Sequence, residues 1–186
     1  HQLTAQGLGA SGGQTTQFVV GAAGESDRDI LSTTSRLYRQ IHLRRAYFSA
    51  FRPVPGSPLE GLPPTPTARQ QRLYQADFLF RQYGFQLDEL VFDDHGHLPL
   101  TTDPKLLWAC RHPERFPLEI NTASREELLR VQGIGPTAAD RLLNLRRQGR
   151  LSRADVLTAA GAAPTRAMPY LLLDGRRAAP LQLSLF

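Results

Sequence analysis

The run Gly133-Ile134-Gly135-Pro136 interrupts a stretch of sequence whose apolar positions otherwise repeat in the manner of α-helices. Ahead of it, Asn121-Thr122-Ala123-Ser124-Arg125-Glu126-Glu127-Leu128-Leu129 opens a helix, with Ser124 and Glu127 spaced as a capping box and Thr122 as an alternative cap. After it, Pro136 suits the first position of a second helix, where its missing N–H costs nothing. Ala138, Ala139, Leu142, Leu143 and Leu145 give that helix an apolar side, and Gly149 ends it. Ser152-Arg153-Ala154-Asp155 starts a third short helix that Gly161 stops.

Such a turn has a chemical use. Glycines let the backbone bend with positive φ and leave no side chain in the way of an approaching group. The first N–H groups of the following helix have no intrahelical partner and sit at the positive end of its dipole, which makes a site for an anion such as phosphate. Arg141 lies one turn on, and Arg146, Arg147 and Arg150 add charge. Contacts of this kind hold a protein to a nucleic-acid backbone without reading bases. An ordinary tight turn between packed helices is the alternative reading of a bare Gly-x-Gly.

Charge distribution favours the first reading. The 186-residue chain carries a formal +5, and none of the excess lies in residues 1–110, where ten Lys/Arg balance ten Asp/Glu. Residues 111–186 hold twelve Arg against seven acids. The planar Arg fork suits phosphate oxygens, so a polyanionic partner is expected for the C-terminal part. No run of eighteen apolar residues occurs, so no membrane-spanning helix is expected. The one cysteine, Cys110, reads as a buried thiol in a cytoplasmic setting. The chain begins with His1, and its only methionine is Met168, which predicts the C-terminal portion of a longer protein.

The run INTASREELLRVQGIGPTAADRLLNLRRQGRLSRADVL resembles the helix-hairpin-helix module of DNA uptake and repair proteins over about forty residues. It departs from that pattern at Leu151, where an aromatic is common, and the change bears on packing. The resemblance implies sequence-independent binding of DNA, duplex by preference. The contacts carried over fall on the backbone of Gly133, Ile134, Gly135, Thr137 and Ala138, with Arg141 beside them.

The N-terminal part alternates strand and helix. Gln17-Phe18-Val19-Val20 reads as a buried strand ended by Gly21. Ser26-Asp27-Arg28-Asp29 reads as a capping box before helical spacing at Ile30, Leu31, Leu37, Tyr38 and Ile41. Ala46 to Phe51 reads as a second strand, and a Pro-rich loop leads to a helix from about Ala68 to Tyr83, with Gly84 as its C-cap. This order predicts parallel βα units. Residues 86–110 are expected to add a short strand, an exposed turn at Asp93-Asp94-His95-Gly96-His97 rather than a metal site, and a helix from about Pro104 to Cys110.

Here TTQFVVGAAGESDRDIL is similar to the fifth βα unit of radical SAM enzymes, and RRAYFSAFRPVPGSPLEG to their sixth strand. By that resemblance Thr16, Gln17, Gly21, Gly24 and Glu25 line an S-adenosylmethionine pocket, and Ser49 and Phe51 flank the adenine. A barrel tail joined to a helix-hairpin-helix resembles a bacterial family of DNA modification or repair radical SAM proteins. The expected fold class is therefore α/β, an incomplete TIM-type barrel over residues 1–112, followed by a small all-α helix-hairpin-helix domain over residues 113–170 and a flexible tail over 171–186. The [4Fe–4S] cluster of such enzymes needs three clustered thiolates. With Cys110 alone, this chain holds no cluster and no metal of its own, so activity requires upstream residues; otherwise the protein is a non-catalytic DNA-binding adaptor.

Gln182-Leu183-Ser184-Leu185-Phe186 is similar to the peptide by which bacterial repair proteins dock on the sliding clamp. That resemblance implies polar contacts from Gln182 and pocket-filling by Leu183, Leu185 and Phe186.

Overall fold

The computed structural model describes residues 13–177; the clamp-like peptide at 182–186 lies outside them. The chain is mixed α/β and divides into two compact units, one of residues 1–81 and 85–104, the other of residues 82–84 and 105–186.

In the first unit, strand β1 (Thr15–Val20) leads through helix α1 (Asp27–Ile41) to strand β2 (Arg45–Ala50), and helix α2 (Thr67–Tyr83) follows. β1 and β2 pair in parallel, with Thr15 opposite Arg45 and Val20 opposite Ala50, as the strand–helix alternation predicts. Both faces of a strand alternate along the chain. Val20, Ala46 and Phe48 are buried, as are Ile30, Leu31, Leu73, Ala76 and Leu79 of the helices, whereas Val19 and Tyr47 are 54% and 40% exposed. The capping box of α1 forms as read, Ser26 accepting from the Asp29 N–H and Asp29 from the Ser26 N–H. Two buried carboxylates are fully paired. Asp27 holds Arg69 at 2.7 Å and the Leu98 N–H at 2.9 Å; Asp77 holds Arg81 at 2.8 Å and the Tyr38 hydroxyl. Burial, together with Asp77, pushes the Tyr38 phenol up to about 12.

The outer edge of β2 is closed by side chains. The N–H groups of Ala46, Phe48 and Ala50 donate to Tyr38 Oη (3.1 Å), Tyr74 Oη (3.1 Å) and Gln70 Oε1 (3.0 Å). No ladder partner can add there without displacing all three, so the sheet ends at β2 on that side.

Residues 86–103 hold a 3-10 turn (Leu87–Glu89) and irregular chain rather than the short strand expected there. The apolar residues Leu90 and Leu98 are buried singly against the unit's core, which a run of alternating pattern does not distinguish from a strand. Asp93 Oδ1 closes the exposed turn by accepting from the N–H groups of His95 (3.0 Å) and His97 (2.8 Å).

The second unit contains helix α3 (Pro104–Arg111), strand β3 (Leu118–Glu119), helices α4 (Arg125–Arg130), α5 (Pro136–Gln148), α6 (Asp155–Ala160) and α7 (Pro164–Ala167), and strands β4 (Leu171–Leu173) and β5 (Arg176–Arg177). It is therefore not all-helical. β4 lies between β3, parallel, and β5, antiparallel. Residues 171–177, read from sequence as tail, belong to this sheet; two- and three-residue strands are too short to show a period. Ile120, Leu128, Leu129, Val131, Ile134, Ala139, Leu142, Leu157 and Leu171 form one core, each no more than 2% exposed. Leu151, at 8%, packs in the same core. Cys110 is exposed, not buried. On α3 the inward positions go to Trp108 and Ala109, and Cys110 turns outward on the next step of the helix.

Candidate nucleic-acid interface

α4 begins with the capping box read from sequence: Ser124 Oγ accepts from the Glu127 N–H (3.1 Å), and Glu127 accepts from the Ser124 N–H (2.7 Å). This settles the cap on Ser124 rather than Thr122. α4 and α5 pack together and are joined by the turn at residues 131–135. Pro136 is the first residue of α5 and Gly135 its N-cap.

The two glycines act differently, contrary to the expectation that both need positive φ. Gly133 has φ +76°, while Gly135 is extended at φ −102°. A Cβ on Gly133 would lie 2.7 Å from the Ala163 carbonyl and 3.0 Å from Arg166 Cβ. The Ala163 N–H donates to the Gly133 carbonyl at 2.8 Å, so the turn is clamped against the start of α7. A Cβ on Gly135 would come within 3.3 Å of Tyr83 Oη.

Behind the turn stands a support that sequence reading missed. Lys105, 7% exposed, donates from Nζ to the Ile134 carbonyl at 2.7 Å, and its ammonium lies 4.5 Å from the centre of the Tyr83 ring. Arg130, also 7% exposed, donates to the Tyr83 carbonyl at 2.9 Å. The lone lysine of the chain, in an otherwise Arg-only surplus, is the only hint of this in the sequence.

Of the residues singled out for DNA, Ile134 and Ala138 are 1% and 3% exposed; Ile134 is an anchor of the core whose N–H bonds the Val131 carbonyl at 3.3 Å. Thr137 and Arg141 are exposed, and Gly133 and Gly135 are half-exposed. Among the described residues the N–H groups of Gly135 and Thr137 donate to no acceptor. Pairing also sorts the arginines. Arg125 is tied to Asp140 (2.6 Å), Arg150 to Asp174 (2.6 Å) and Arg146 to the Ala123 carbonyl (2.5 Å), whereas Arg141 faces no carboxylate within ion-pair reach among the described residues. Arg166, not singled out from sequence, is brought beside Gly133 and donates to Gln132 Oε1 at 3.1 Å.

The residues assigned to S-adenosylmethionine lie on both faces of β1, in the loop after it, and on and just after β2. Thr16 lies on the more buried side of β1, with Phe18 and Val20, while Gln17 shares the other, exposed side with Val19. Ser49 stands opposite Val19 in the sheet register. Phe51 is 7% exposed. Glu25 is spent on its own loop, accepting from the N–H groups of Gly21 (2.5 Å) and Ala23 (3.1 Å). Burial opposes its charge, but these N–H donors and Arg69 prevail and hold its carboxyl below the usual range. Gly21, φ +88°, is pressed against Thr65, whose Oγ1 a Cβ would meet at 2.1 Å; Gly24, φ +74°, faces open space. An iron–sulfur cluster does not fit this chain: one exposed thiol cannot supply three thiolates. Among the described residues no three His, Cys, Asp or Glu side chains come together as a metal site, and no helix is long and apolar enough to cross a membrane.

Compared with known proteins, the chain matches no family model, no curated protein and no solved structure.

Proposed function

We propose that the second unit is a helix-hairpin-helix module that holds DNA by its phosphate backbone without regard to sequence. The observation that carries this reading is the turn into α5: N–H groups of Gly135 and Thr137 that have no acceptor among the described residues, at the positive end of a 13-residue helix, with Arg141 exposed one turn on. Gly133, Gly135, Thr137 and Arg141 form the accessible contact set; Ile134 and Ala138 shape it from within. The test is Thr137→Glu. A carboxylate in the first turn favours the helix dipole and leaves folding intact, but it sets a negative charge where a phosphate would sit. Duplex binding should fall at least tenfold while the melting temperature holds or rises; undiminished binding would refute the site.

The first unit is read as the last two βα units of an incomplete radical SAM-type barrel. The side-chain-sealed edge of β2 favours it, since the final strand of an open barrel needs such protection. Catalysis is not assigned to this chain, whose thiol content cannot hold the cluster. Docking of Gln182–Phe186 on the bacterial sliding clamp is a separate proposal, resting on sequence alone; loss of clamp binding on deleting those five residues would support it.

A further inference from the structure

We propose that Lys105 is a positioning residue for the phosphate site: through the Ile134 carbonyl it polarises the peptide unit that presents the Gly135 N–H. This rests on the phosphate-binding reading above. The Ile134 C=O and the Gly135 N–H are the two ends of one peptide group. At one end the Lys105 ammonium donates at 2.7 Å; at the other the N–H has no acceptor among the described residues. A cation drawing electron density through the carbonyl strengthens the N–H opposite as a donor, because hydrogen bonds in series reinforce one another and do so more where water is excluded. The setting meets that condition. Lys105 is 7% exposed, and its ammonium also lies over the face of Tyr83, whose hydroxyl end stands beside Gly135. A structural lysine needs only some acceptor. Here the acceptor is the one carbonyl whose partner N–H opens the α5 site.

The geometry also fixes what Lys105 does not do. Its Nζ is engaged behind the turn and does not reach a phosphate, so it displaces no counterion from DNA. An arginine that touches phosphate contributes to the slope of log K against log salt; a residue acting through the peptide lowers affinity at every salt concentration and leaves the slope alone.

The test uses the full chain, a random-sequence duplex and three variants. Lys105→Met removes charge and hydrogen bond, Lys105→Gln keeps an N–H donor without the charge, and Arg141→Ala serves as the phosphate-contact comparison. Both Lys105 variants should bind about tenfold more weakly with the native salt slope, and Arg141→Ala should lower the slope by about one. In the free protein the Gly135 amide proton and nitrogen resonances should move upfield in both Lys105 variants, with the rest of the spectrum preserved; a merely structural role would scatter changes over the core. A Gly135 amide that stays in place overturns the assignment whatever the chain binds. So does unchanged affinity, or a failure of both Lys105 variants to fold. Absence of salt-sensitive binding by the native chain overturns the DNA reading itself.

Discussion

Replacing Gly133 by Ala separates two costs that the structure keeps apart. Gly133 sits at φ +76°, and a left-handed residue with a Cβ costs about 1–2 kcal/mol. Its Cβ would also stand 2.7 Å from the Ala163 carbonyl and 3.0 Å from Arg166 Cβ. Neither neighbour can withdraw freely, because the Ala163 N–H is bonded to the Gly133 carbonyl at 2.8 Å. Forcing a methyl into such packing adds about 1–3 kcal/mol, so Gly133→Ala should cost about 2–5 kcal/mol in all. Gly175 provides the comparison within the same unit: φ is +73°, but among the described residues nothing beyond its two chain neighbours would lie within 4 Å of an added Cβ. Gly175→Ala should therefore cost only the backbone part, about 1–2 kcal/mol. Urea unfolding at constant slope measures both. Equal losses at the two positions would refute the claim that the turn is clamped against α7, and with it the view that Gly133 is a packing residue first.

Other consequences are equally concrete. Burial opposes the charge of Glu119, but N–H groups of Gly175, Asn121 and Asp174 outweigh it and hold the carboxyl below its usual range. A depressed carboxylate contributes stability that is full above its unfolded value, near about 4.3, and is lost as pH falls through the folded one. Glu119→Gln should flatten that acid limb of the stability curve; an unchanged limb would place the titration elsewhere. Cys110, being exposed, should react with a thiol reagent in the native protein at close to the rate of the unfolded chain. Protection by folding would contradict the outward placement on α3.

What could be read from sequence was local. Ser26 with Asp29 and Ser124 with Glu127 are three residues apart, and the hydrogen bonds that make them caps close within one turn. Gly-Ile-Gly-Pro likewise marks its own turn and the start of α5, and the βαβ order of the first unit follows from short apolar runs around one helix. What could not be read joins distant segments. Lys105 meets Ile134 across 29 residues, and β3 meets β4 across more than 50, through strands too short to carry a pattern. Arg166 approaches Gly133 only because α6 and α7 fold back on the turn. The two glycines looked equivalent in sequence; their φ angles and the positions of Ala163 and Tyr83 distinguish the one that must bend from the one that must stay small. Glu25 closes its own loop, a contact short enough in sequence to be legible, since a carboxylate four residues past Gly21 has the reach to accept that N–H.

Whether the second unit holds DNA by its backbone alone is decided by binding of the native chain to duplexes of unrelated sequence, followed by fluorescence anisotropy over a salt series. Backbone binding gives similar affinities for all sequences and a linear fall of log K with log salt, steep enough to reflect several phosphate contacts. No binding at low salt, binding that salt does not weaken, or strong preference for one sequence would contradict it.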